Sequence, residues 1–420
     1  WLKLQSWQAM SDDEDSDYGE GGYKEIRSRD TLRQYEVVKK LGWGNFSTVW
    51  LCKCPRSQDQ ARESAERFVA VKVQKSRNYD DALLEVDTLK EISARRKGRQ
   101  DVGVVLLHES FVLPGLRNGK HCCMVFNVMG PNLLHLVERL DKADMVLARK
   151  MTRDVLVGLE FLHDACVMIH ADLKPENILI SAPSGIPVTK IGVPMTPVVF
   201  PSDPALSDKV RQCHANAVPI GDPFRWPGST FQLADLGSAQ KVDKAATHFE
   251  DVGTTQYRAP ELLVACNYST GVDIWALGCT FFEVLCGEFL FNPSRSSKNR
   301  RETHLAQIAG ALEEHLPFDI VERGTKGRSC YQAPELFVSE RPRGALLGDR
   351  LVRYGIAKHT GDSCGGFVEF LRRMLRVNPR ARGTAKTLLA ESFMQDDNGR
   401  NGENGLANHE EPDAKRQRRE

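Results

Sequence analysis

A chain of 420 residues has room for two domains or one two-lobed domain, and its 41% hydrophobic and 27% charged residues are ordinary globular composition. Its 57 basic and 56 acidic residues leave a formal charge of +1, so no global field draws it to nucleic acid or a membrane surface. No apolar run approaches the roughly 20 residues that span a bilayer. The eleven scattered cysteines read as reduced thiols, not as a disulfide framework or a zinc site.

In chain order, the first residues, "WLKLQSWQA", lack the layout of a signal peptide, and Met10 is the expected start. Residues 1–34 carry the acidic run "SDDEDSD" and little to bury, which predicts a disordered arm. From Tyr35 the pattern becomes strand-like in "YEVVKKLG", "STVWLCK" and "RFVAVKVQK". "DDALLEVDTLKEI" has helical spacing, with Leu83, Leu84, Val86, Leu89 and Ile92 as its apolar face. Two further strands, "VVLLHESFVL" and "HCCMVFNVM", bring the chain to Gly130, after which the pattern turns helical. Strands first and helices afterwards predict an α+β, two-lobed fold, with a β-rich lobe over 35–130 and an α-helical lobe over 131–394. A proline-rich, aperiodic stretch at 181–230 reads as an insertion, and 395–420 as a disordered tail.

Within this order lies a set of residues suited to phosphoryl transfer. "LGWGNFSTVW" (Leu41, Gly42, Trp43, Gly44, Asn45, Phe46, Ser47 and, two further on, Val49) joins two strands. Gly42 and Gly44 let backbone amides approach phosphate oxygens, and Val49 with Ala70 suits the covering of a base. Lys72 lies on the next strand, where it can hold α- and β-phosphates, with Glu85 of the following helix as its ion-pair partner. In "IHADLKPENIL", Asp172 can accept the proton of an incoming hydroxyl, Lys174 can neutralise the transferred group and Asn177 can ligate magnesium. "LADLG" supplies Asp235 as the second magnesium ligand. Glu261 with Arg382, and Asp273 under the catalytic loop, read as architecture.

Together these motifs resemble the eukaryotic protein kinases over roughly residues 35–394. "YRAPE" and the long 288–366 stretch are similar to the group with the cyclin-dependent, MAP and Clk kinases. "KLGWGNFSTVWL", "MVFNVMGPNLLHLV", "IHADLKPENIL", "ADLGSAQ" and "DSDYGEGGY" look like the SR-protein kinases. The resemblance implies ATP and Mg2+ as cofactors and serine in Arg/Ser-rich splicing factors as the substrate. It also implies a substrate-docking helix at "RETHLAQIAGALEEHL", where two expected acidic positions are Thr303 and Gly310, with Glu302, Glu313 and Glu314 nearby.

Ala171 stands where many kinases carry the arginine that pairs with a phosphorylated activation loop. Activity without activation-loop phosphorylation is therefore expected, with Thr254 bonding the catalytic loop. Glu176, Glu250 and Asp251 are read either as an acidic lip for substrate arginine or as a solvated charged loop. The expected protein is a monomer of the cytoplasm and nucleus that binds neither nucleic acid nor membrane directly. "KRQRR" at 415–419 is either a nuclear import signal or a solvated tail. The alternatives are a Clk- or DYRK-like kinase and a pseudokinase scaffold.

Overall fold

The computed structural model describes residues 18–55, 67–99, 101–115, 119–135, 143–181, 228–243, 252–293, 300–327, 329, 346–356 and 366–395. Most of the 181–230 insertion, residues 396–420 of the 395–420 tail, and both Glu250 and Asp251 lie outside these residues.

The N-terminal lobe is one antiparallel sheet in the order β1-β2-β3-β4-β6-β5. Its strands are β1 (Thr31–Leu32), β2 (Tyr35–Gly44), β3 (Ser47–Lys53), β4 (Phe68–Gln74), β5 (Leu107–Pro114) and β6 (Lys120–Phe126). Side chains alternate across a sheet. Val71, Val73, Trp50, Cys123 and Val125 therefore pack with Tyr35 and Val37 on one face, in a small core. The other face carries Lys72 and Met124, opposed in the β4–β6 register.

Helix α1 (Tyr79–Arg95) lies on that second face and buries Ala82, Glu85, Val86, Leu89 and Ile92. This departs from the face expected from sequence: Leu83 is 38% and Leu84 68% exposed. The buried stripe runs i, i+3, i+4, i+7 from Ala82, and a glutamate with a partner occupies one of its positions. A second correction concerns the acidic arm. Residues 18–34 are ordered: Tyr23, Ile26 and Leu32 are buried and β1 pairs with β2. Three apolar anchors suffice there, although averaged composition hides them.

The C-terminal lobe is built on α3 (Gly271–Cys286), in which every residue from Val272 to Cys286 is buried. A helix apolar all round belongs in the middle of a core, and Phe281 makes edge contacts with Phe367 and Phe370. The helix ends at Gly287, whose left-handed backbone (φ 74°) lets its N–H reach the Glu283 carbonyl. Helix α2 (Met145–Glu160), capped by the Asp144 side chain, packs on α3. Strand β7 (Met129–Asn132) crosses between the lobes and pairs with β9 (Ile178–Ser181), which pairs with β10 (Phe231–Leu233). A two-stranded pair, β8 (Met168–Ile169) with β11 (Gln240–Lys241), completes the frame of the cleft. No described helix is long and apolar enough to cross a membrane.

Candidate active site

The glycine-rich segment is a tight hairpin. Gly44 pairs with Ser47, leaving Asn45 and Phe46 as the connecting residues. A Cβ built on Gly42 or Gly44 would meet nothing within 4 Å, so the loop borders open space of the kind a phosphate chain needs. The register sets Val49 opposite Lys72 and Leu51 opposite Ala70. Trp43 is the exception among the expected nucleotide residues. Its ring shares the Lys40 ammonium, at 5.0 Å, with Trp50 of the small core, which puts the indole on the sheet face away from Lys72. Only its backbone belongs to the phosphate loop.

Lys72 Nζ lies 2.7 Å from Glu85 Oε1 and 3.1 Å from Asp235 Oδ1. Burial opposes the ammonium, but Asp235 and Glu85 outweigh it and hold the lysine pKa above its ordinary value. The Lys72 charge in turn holds the Asp235 carboxyl below the usual carboxylate range, despite burial. Glu85 is held from its other side by Gln74 Nε2 at 3.0 Å, a residue that sequence reasoning passed over. A buried carboxylate needs both oxygens engaged, and that need is the signal that could have pointed to Gln74.

The catalytic loop hangs from α3. Asp273 accepts hydrogen bonds from the backbone N–H groups of His170 (2.8 Å) and Ala171 (2.9 Å) and contacts His163 Nε2 at 2.8 Å. Burial would raise the Asp273 pKa, but these partners pull it below normal. They hold Ala171 at φ 69°, a left-handed backbone that costs an L-residue about 1–2 kcal/mol. Asp235 is also left-handed, at φ 59°, and strain of this kind gathers at functional sites.

Around Asp172 the contacts form a closed set. Its Oδ1 accepts from Thr254 Oγ1 (2.8 Å) and Thr254 N (2.9 Å), and its Oδ2 from Lys174 Nζ (2.7 Å). Lys174 also reaches Thr254 Oγ1 at 2.9 Å, and Asn177 Nδ2 bonds the Asp172 carbonyl at 2.8 Å. Asn177 just before β9 and Asp235 just after β10 adjoin, with the Ala234 N–H donating to the Asn177 carbonyl at 2.9 Å, and both offer hard oxygen ligands to the cleft. Among the described residues no group of three or more His, Cys, Asp and Glu side chains could hold a metal alone. Such a donor set fits a magnesium ion that also takes phosphate oxygens and water.

Glu176 is half-buried, and its Oε2 is shielded from solvent with no hydrogen-bond partner. Burial raises its pKa, and Glu283 adds to the rise. Tyr257 donates to Glu283 Oε2 at 2.5 Å, so two carboxylates and a phenol stand together under the catalytic loop. Glu176 is thus not a fully solvated acid, while Glu250 and Asp251 lie outside the described residues. Glu283, inside the apolar helix, gave no sequence signal beyond being an acid in a hydrophobic run. On α4 (Arg300–Leu312), Thr303 and Gly310 leave no acid at the expected docking positions. Glu314 does not replace them, because it is committed to Arg376 Nη1 at 2.7 Å and Val377 N at 3.0 Å.

A strand lysine ion-paired to a helix glutamate, facing a loop aspartate, lysine and asparagine across a glycine hairpin, is the active-site plan of a protein kinase. The protein kinase domain family matches residues 35–197 and 216–394. The serine/threonine-protein kinase SRPK of Physarum polycephalum is 31% identical over 407 residues, 92% of each chain. Protein kinase dsk1 of Schizosaccharomyces pombe is 29% identical, over 75% of this chain and 72% of its own. SRSF protein kinase 3 of Mus musculus is 27% identical, over 73% and 78%. The chain belongs to the protein kinases and, within them, to the SR-protein kinase family. It is a serine/threonine-protein kinase, a class that uses ATP and a divalent metal.

Proposed function

We propose that this kinase transfers the γ-phosphoryl group of ATP, with Mg2+, to serine in Arg/Ser-rich proteins, and that it needs no activation-loop phosphorylation to do so. The observation that carries the second part is the Asp172–Thr254–Lys174 set. It is closed by an unmodified threonine, while Ala171 offers no cation for a loop phosphate to pair with. Bound Mg2+ supplies neutralisation of the charge on the β- and γ-phosphates. Lys72, held by Glu85, orients the phosphate chain, Asp172 accepts the serine hydroxyl proton, and Lys174 offsets charge on the group in transfer. Recombinant enzyme treated with a phosphatase should keep its full rate on an Arg/Ser peptide. A loss that returns on rephosphorylation would refute this reading.

Substrate choice is supported by the names of the relatives and by the Glu176–Glu283 pair. Glu176 has an oxygen without a hydrogen-bond partner and stands in the field of the Glu283 charge, so an arriving guanidinium, whose fork can bond a carboxylate at two points, would relieve it. The raised pKa of Glu176 gives a pH signature. As pH falls from neutral towards the ordinary glutamate range, Glu176 takes up a proton before an ordinary glutamate does and loses its attraction for arginine. KM for an Arg/Ser peptide should rise over that window, with less change for a peptide whose arginines are replaced by alanine. Glu176→Gln should bring the two profiles together, with arginine-peptide KM about 10-fold higher at neutral pH. Parallel profiles in the parent enzyme would remove Glu176 from arginine recognition. Residence in both cytoplasm and nucleus is part of the same proposal, since splicing factors occupy both; fractionation of cells expressing the tagged chain checks it.

A further inference from the structure

The ordered segment just before β1 touches the two parts of the N-terminal lobe on which nucleotide binding depends. Tyr23 is 3% exposed, and its hydroxyl donates to the Gly44 carbonyl of the glycine hairpin at 2.5 Å. The same ring lies 3.8 Å from Lys75 Nζ, and the Lys75 N–H donates to the Phe46 carbonyl at the hairpin tip at 2.8 Å. The two preceding residues reach the other way. The Gly22 and Gly21 carbonyls accept from the N–H groups of Ser76 and Arg77, each at 3.2 Å, in the helical turn that leads into α1. Gly21 has φ +76°, and a Cβ there would lie 3.3 Å from Arg77 Cβ, so the approach suits glycine.

A hairpin with a two-residue tip and open space beside its glycines must be ordered to close on phosphates, and any order present beforehand lowers that cost. The orientation of α1 sets whether Glu85 meets Lys72. We propose that Gly21–Gly22–Tyr23 is a positioning element for nucleotide binding, with Tyr23 holding the glycine hairpin and the two glycine carbonyls holding the start of α1. The element lies outside the matched kinase domain, which begins at residue 35. It supplies from the N-terminal side a fastening of the lobe that needs no covalent modification. The inference rests on the nucleotide reading of the cleft and not on the identity of the protein substrate.

The test uses the full chain with Tyr23→Phe, which removes only the hydroxyl. The readouts are KM for ATP, KM for an Arg/Ser peptide, kcat, and the Kd of MgADP by calorimetry. Loss of one neutral hydrogen bond should raise both ATP KM and MgADP Kd by about 3- to 10-fold. Peptide KM should be unchanged and kcat should stay within about two-fold. Gly21→Ala, which loosens the contact with α1, should lower kcat through the Lys72–Glu85 pair. A Tyr23→Phe enzyme with a lower thermal midpoint but unchanged MgADP Kd would overturn the proposal and leave Tyr23 structural. A parallel rise in ATP and peptide KM would overturn it too, as general damage. MgADP binding is read without a peptide, so a wrong substrate assignment would leave this test intact.

Discussion

Asp172→Ala will lower kcat on an Arg/Ser peptide by about 10²- to 10⁴-fold, the usual contribution of a positioned general base. KM for ATP should change little, because the nucleotide side of the cleft is organised by Lys72, Glu85 and Asp235, on other elements. The variant also frees Thr254 and Lys174, both of which bond the Asp172 carboxylate. Asp172→Asn is therefore the sharper comparison: its amide oxygen can still accept from Thr254, but it is no base. Equal losses in the two variants, with MgADP binding retained, would assign the effect to proton acceptance. A pseudokinase scaffold would show no peptide phosphorylation to lose, which makes the same assay a test of enzyme against scaffold.

Removing one partner of the Glu261–Arg382 pair will destabilise the fold by about 3–5 kcal/mol, since it strands the other charge in the core. The two side chains are 1% and 0% exposed and meet through two parallel bonds of 2.8 and 3.0 Å. Arg382 is further engaged by the Gly271 and Arg376 carbonyls, so it ties the segment after the activation loop to the first turn of α3. Glu261→Gln should cut total activity in a preparation heavily while preserving much of the activity per folded molecule. Denaturant unfolding beside active-site titration separates the two. A normal unfolding midpoint with low turnover would move Glu261 from architecture to catalysis.

The sequence announced most of this site because phosphoryl transfer demands particular atoms in a fixed order along the chain. Lys72, Glu85, Asp172, Lys174, Asn177 and Asp235 were all legible, and the structure brings them to one cleft. The strands-then-helices pattern likewise carried the two-lobed fold. What stayed hidden shares one cause: it depends on contacts between segments far apart in sequence. Glu283 is an unremarked acid in an apolar run until the fold brings its charge to bear on Glu176, 107 positions away by their numbering. Gln74 is an unremarked strand end until Glu85 needs a second donor. Leu83 and Leu84 look like core by composition, yet helix phase turns them outward so that Glu85 can turn in. Residues 18–34 look too polar to fold, yet Tyr23 and Leu32 find burial in a sheet that window averages do not see.

The suspension of the catalytic loop from Asp273 bears on how sequence variation in this enzyme should be read. The loop is irregular, includes a left-handed alanine, and takes its shape from a carboxylate on a helix that is buried on every side. Its stiffness is therefore inherited from the greasiest stretch of the chain. A cavity-forming substitution of Trp275, Phe281 or Phe282, all fully buried in that helix, is therefore expected to lower turnover through the footing of the loop as well as stability. In a variant survey, lesions in this helix should group with those of the cleft in effect, though no cleft residue has been altered.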